Sequence, residues 1–179
     1  MISKLVVCDV GPLIILARIE KLSLLIHLFD VVFITSIVQK ECVVDISLPG
    51  AKGIDHAIHE KILHVLNPGQ NFNIEKKLLS LDDGEKSAIL LAKELHATLL
   101  IDEKRGRSVA QHLDVQILGT AGLLLRAYQR GLITDLHICL EDMKNQGYRL
   151  SERLIKAILK HESLLRSEKK SLEKERETK

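Results

Sequence analysis

The chain has 179 residues, 46% hydrophobic and 28% charged, which suits one well-buried core and excludes a disordered or fibrous class. A formal net charge of +2 excludes a global basic field, so any basic patch must be local. Aromatics at 3% with no Trp argue against single-strand binding by base stacking and leave the core to Leu, Ile, Val and Ala.

Leu5 to Asp9 is a short run dominated by aliphatics and bounded by Gly11-Pro12, the pattern of a strand buried on both faces. Pro12 suits a first helical turn, where its missing N–H is not needed. Leu13, Leu16 and Ile19, then Leu24, Leu25 and Leu28, supply apolar helix faces. Val31–Ile34 is a second strand. Thr35 or Ser36 caps the next helix, with Ser36-Ile-Val-Gln39 fitting a capping box; this helix carries Glu41 and ends near Asp45. A loop over 46–53, a helix over Ile54–Glu60, a short strand over Leu63–Leu66 and a turn at Asn67-Pro68-Gly69 follow. Asp82-Asp83-Gly84-Glu85 opens a helix running towards Leu95, with Asp83 as the expected N-cap. Thr98–Ile101 is a strand ending in Asp102, Lys104–His112 a helix, and Val115–Leu118 another strand. Gly119-Thr120 begins an amphipathic helix that Gly131 stops. Helices over Leu136–Gln146 and from Ser151 onward lead into a run of Glu, Lys and Arg that reads as a solvated helix end.

Strands alternating with helices imply βαβ units in a three-layer α/β/α sandwich around a mostly parallel sheet, with extra C-terminal helices. Residues 1–150 make the main domain, and 151–179 form a C-terminal helix and charged tail attached to it. Cys8, Cys42 and Cys139, few and far apart, read as buried thiols of a reducing compartment. Asp9 interrupts the first apolar run before a secretory core forms, and no stretch approaches the roughly 18 apolar residues of a membrane span. A cytoplasmic protein without a membrane partner is expected.

In a parallel sheet Asp9, Glu85 and Asp102 share the carboxyl edge, where such sheets bind ligands. Each also has an innocent explanation: Asp9 or Asp102 as helix caps, Glu85 as a dipole partner, Glu41 as a solvent-facing residue. Together, carboxylates without matching cations repel one another, which calls for a hard divalent ion such as Mg²⁺ or Mn²⁺ with oxygen ligands. Such an ion polarises a phosphodiester and deprotonates an attacking water.

Four blocks in order carry a family resemblance: Asp9-Val-Gly-Pro-Leu-Ile, Ile34-Thr-Ser-Ile-Val-Gln-Lys-Glu41, Asp82-Asp-Gly-Glu85-Lys-Ser-Ala-Ile-Leu-Leu-Ala, and Leu100-Ile-Asp102-Glu-Lys-Arg-Gly-Arg. They resemble the PIN domain, in a prokaryotic branch related to VapC-type toxins, and the likeness extends through Gly119-Thr-Ala-Gly-Leu-Leu. The resemblance implies a metal-dependent ribonuclease with a four-acid pocket, often the toxin of a toxin–antitoxin pair. It puts Asp9, Glu41 and Glu85 on the first three acidic positions and Asp102 on the fourth, with Glu103 assisting. Two departures stand out: Gly11 where many relatives carry Ser or Thr, and Glu85 where Asp is commoner. These motivate a second reading, a catalytically inactive PIN-like interaction module; an acidic-pocket phosphatase for small phosphoesters is a third.

Lys104, Arg105 and Arg107 are candidates for holding RNA phosphates, or else a solvated helix face. Thr120 resembles the family's hydroxyl near the pocket, though a helix start needs no such role. The expected partners are RNA, a small antitoxin implied by the resemblance, and a second copy in a homodimer through apolar positions of Ile54–Glu60 and Ile74–Leu79. The histidines do not make a zinc site: His59-Glu60 followed by His64 is one residue too long for H-E-x-x-H.

Overall fold

The computed structural model describes residues 4–69, 78–160 and 162–163. Five short strands form an all-parallel sheet: β1 (Leu5–Cys8), β2 (Val31–Ile34), β3 (His64–Val65), β4 (Thr98–Leu100) and β5 (Ile117–Leu118). Their order is β3-β2-β1-β4-β5. The chain winds from β1 towards β3, then returns to build β4 and β5 on the other side of β1. Right-handed crossovers therefore put the first group of helices on one face and the second group on the other. The first group is α1 (Val10–Arg18), α2 (Leu24–Leu28), α3 (Ser36–Val43) and α4 (Ala51–His59); the second is α5 (Asp83–Glu94) and α6 (Lys104–His112).

Side-chain alternation confirms the layering. Val7, Leu99 and Ile101 join Ala88, Ile89, Leu91 and Ala92 of α5 and Val109 and Ala110 of α6 in one buried cluster. Val6, Cys8, Val32, Ile34 and Leu100 are buried on the opposite face. The pairing of Cys8 with Leu100 puts Asp9 level with Ile101, one residue short of Asp102. Both acids thus flank the gap between β1 and β4 where the winding direction reverses, the usual ligand crevice of an open parallel sheet.

The chain divides into two compact units at Thr120. The first holds the sheet and every candidate acid. The second holds α7 (Thr120–Gln129) beyond its first residue, α8 (Leu136–Asn145) and a helix over 152–160. Among the described residues no helix is long and apolar enough to cross a membrane. The three cysteines are buried and none is in a disulfide, as composition suggested.

Several local expectations change. Thr35, not Ser36, is the N-cap of α3 and accepts from the Val38 N–H at 3.2 Å, while the Ser36 N–H donates to the Asn67 side chain. The Ser36–Gln39 capping box therefore does not form. Asp82, not Asp83, caps α5. Asp83 instead faces water and pairs with Lys86 at 3.0 Å. Ala51, Ile54 and Ala57 of α4 are buried where the helix packs on α1 and α3, while Ile58 stays half-buried. Of the Ile74–Leu79 segment, residues 74–77 lie outside the described residues, Leu78 is buried and Leu79 is exposed; the charged tail from 164 also lies outside them.

Candidate active site

Asp9 follows β1 in extended conformation and stands at the N-cap of α1, yet its side chain makes no capping bond. Its backbone N–H donates to the Leu100 carbonyl at 3.0 Å, which ties the residue to the end of β4. The side chain is only 6% exposed. Burial above all, then repulsion from Glu85, Asp82 and Glu41, pushes its pKa from 3.8 up to about 7, against a lowering contribution from the Val10 N–H. Cys8 and Cys42 lie beside it as neutral thiols. Burial raises both, and the charge of Asp9 adds to it; Cys42 is pushed up to about 12.

Glu85 occupies the first turn of α5 and is buried. Its N–H donates to Asp82 Oδ1 at 2.7 Å, the side-chain cap of α5, and the Asp82 backbone N–H in turn works to lower the Glu85 carboxyl pKa. Even so its pKa is raised, by burial first, then by Asp82 and Glu103, while Arg105 opposes. Glu41, near the end of α3, stands at the rim. Desolvation at the cleft wall raises it, and so do Asp82 and Asp83. A Cβ at Gly84 would sit 3.0 Å from Glu41 Oε1, 3.2 Å from Oε2 and 3.4 Å from Asp82 Oδ1, so these carboxylates meet over bare backbone. A Cβ at Gly106 would come 2.9 Å from Glu85 Oε1 and 2.5 Å from Ile101 Cδ1. Two glycines thus let α3, α5 and α6 close around the acids.

Asp102 is held differently. Its Oδ1 accepts from the Thr120 N–H at 2.9 Å, and its Oδ2 accepts from the Thr120 hydroxyl. Arg107 donates to the Ile101 carbonyl at 3.0 Å, and a Cβ at Gly119 would lie 2.9 Å from both Arg107 Nη1 and Asp102 Oδ1. Fully buried Thr120 therefore steadies Asp102 and presents no hydroxyl to a large ligand. Asp102 does not cap α6; Glu103 does, accepting from the N–H groups of Arg105 and Gly106. Lys104 and Arg105 are exposed at the start of α6.

The cleft therefore gathers Asp9, Glu41 and Glu85 with a fourth carboxylate the sequence reading did not single out, Asp82. The signal was present in the D-x-x-E spacing from Asp82 to Glu85, which marks the cap more sharply than the D-D pair alone. Among the described residues no three His, Cys, Asp or Glu side chains already stand as a metal-holding group. The donor chemistry still fits a hard divalent ion: all-oxygen ligands, partly desolvated and mutually repelling, which a cation would draw together.

Fold and site together define an α/β domain whose acids collect at the topological switch point of a parallel sheet. A family model described as a PIN domain matches residues 5–163, and the chain belongs to the PIN-domain family. No curated protein matches it. PIN domains are generally nucleases and typically use divalent metal ions.

Proposed function

We propose that this PIN domain is an endoribonuclease that hydrolyses RNA phosphodiester bonds with Mg²⁺ or Mn²⁺. The observation that carries the reading is Asp9, a carboxylate 6% exposed at the switch point, with no capping bond and a pKa pushed up to about 7 by its surroundings. A purely structural acid is stabilised by its neighbours. This one is penalised by them, as suits a group kept for a cationic ligand. When bound, the ion would polarise the phosphodiester and supply an activated water. Asp9, Glu41 and Glu85 would hold it from one side, and Asp102, steadied by Thr120, from the other. Glu103 would keep its cap on α6 and add to the negative field at Glu85. Exposed Lys104 and Arg105 would take RNA phosphates at the mouth, with Arg107 turned inward beside Asp102.

The likeness to VapC-type toxins extends the reading to a toxin role, with a small antitoxin covering the acidic edge. Buried thiols outside any disulfide support a cytoplasmic setting. Purified protein should cleave RNA with added Mn²⁺, stop with chelator, and leave a generic phosphomonoester intact. Asp9→Asn should abolish cleavage; the variant cleaving at the wild-type rate would defeat the assignment. A second reading, an inactive interaction module, is favoured by the structural employment of Glu103 as the cap of α6. A folded protein that neither binds Mn²⁺ nor cleaves RNA would establish it.

A further inference from the structure

Glu41 and Glu85 sit on helices in opposite layers, so the sheet alone does not fix one against the other. α3 and α5 pack together over its carboxyl edge. At that contact two buried hydroxyls meet: Thr35 Oγ1 lies 2.7 Å from Ser87 Oγ. The Ser87 hydroxyl donates to the Gly84 carbonyl at 2.9 Å, which uses its single hydrogen. In the bond to Thr35 it must therefore accept, and Thr35 Oγ1 donates while accepting the Val38 N–H at 3.2 Å. The result is a directed relay, Val38 N–H to Thr35 to Ser87 to the Gly84 carbonyl. Thr35 is fully buried and Ser87 is 7% exposed, so water competes little for these bonds.

Both ends of the relay abut the acids. Val38 lies one turn before Glu41 on the same helix face, and Gly84 immediately precedes Glu85. Gly84 is also the backbone over which Glu41 and Asp82 meet. We infer that Thr35 and Ser87 are positioning residues that lock the first turn of α3 to the first turn of α5, setting the spacing of Glu41 and Glu85 for the ion. The inference rests on the nuclease reading for its ligand, and on hydrogen-bond geometry for the lock itself.

The test is Mn²⁺ affinity by calorimetry on Thr35→Val and Ser87→Ala, with Thr35→Ser as the conservative rescue and Ile89→Val as a buried α5 control in the core cluster. Groups behind metal ligands characteristically change affinity 10- to 100-fold. Thr35→Val and Ser87→Ala should each weaken Mn²⁺ binding at least tenfold, Thr35→Ser should restore it, and Ile89→Val should bind as the wild type. Equal Mn²⁺ affinity in all folded variants would overturn the inference while leaving the nuclease reading intact. A metal-free measurement separates the two failures. If the relay is one unit, the Thr35→Val/Ser87→Ala double variant should lose little more melting temperature than the worse single. Additive losses refute the lock whatever the metal does, whereas non-additive losses in a protein that binds no Mn²⁺ refute the nuclease reading and the ion-spacing role together.

Discussion

Replacing Asp9 by Asn should make the folded protein more stable at neutral pH. The Asp9 carboxyl titrates at about 7 in the folded state against an ordinary 3.8. Because the folded pKa is the higher one, the folded state holds the proton through this window while the unfolded chain releases it. Stability therefore falls as pH rises from about 4 to about 7, and is level outside those limits. At 1.36 kcal/mol per pH unit the gap amounts to ~4 kcal/mol, an upper limit because Glu41 and Asp82, both exposed, relax outward. The group is nearly fully buried, so solvent screening removes little. Asn has the same shape without the charge. Urea denaturation of both proteins without metal, at intervals from pH 4 to pH 8, should give curves that coincide near pH 4. They should separate until Asp9→Asn is more stable by several kcal/mol at neutral pH. A difference that stays flat with pH, or an Asn variant less stable at pH 7, would refute the claim that Asp9 is held at a cost to the fold.

Divalent ions should offset the same cost. Mn²⁺ at a hundred times its dissociation constant should raise stability by about 2.7 kcal/mol in the wild type and by much less in Asp9→Asn, read as melting temperature. The glycines should sort by their surroundings. Gly106→Ala, whose Cβ would meet Ile101 Cδ1 at 2.5 Å and Glu85 Oε1 at 2.9 Å, should lose about 1–3 kcal/mol and weaken Mn²⁺ binding. Gly11→Ala, with nothing within 4 Å of its Cβ, should gain about 0.5 kcal/mol from helix propensity and keep its activity; urea midpoints check both.

Much of this architecture was legible because parallel strands are short, apolar and end in marked residues. Asp9 and Asp102 declared the sheet edge, and α6 runs over Lys104–His112 as its pattern predicts. What the pattern left open depended on contacts distant in the chain. Which of Asp82 and Asp83 caps α5 is decided by the rotation of that helix, fixed when Ala88, Ile89 and Leu91 enter the core. Asp102 looked like a cap for the adjacent helix, but its partner Thr120 lies 18 residues on. The apolar stripe of α4 was real, yet periodicity does not say whether a second copy or α1 and α3 will cover it. Glu41, the weakest acid on pattern alone, gains its place only where α3 meets the bare backbone of Gly84.

In a parallel sheet every helix that follows a strand starts at the same end. Here α1, α3, α5 and α6 all begin there, with Asp9, Thr35, Asp82 and Glu103 at their first turns. Each start carries roughly half a positive charge from unpaired amide dipoles. The main chain therefore adds a diffuse counter-charge beneath these acids, beside that of Arg105 at Glu85. This lets the protein fold before any ion arrives, and leaves a residual negative field for one to enter.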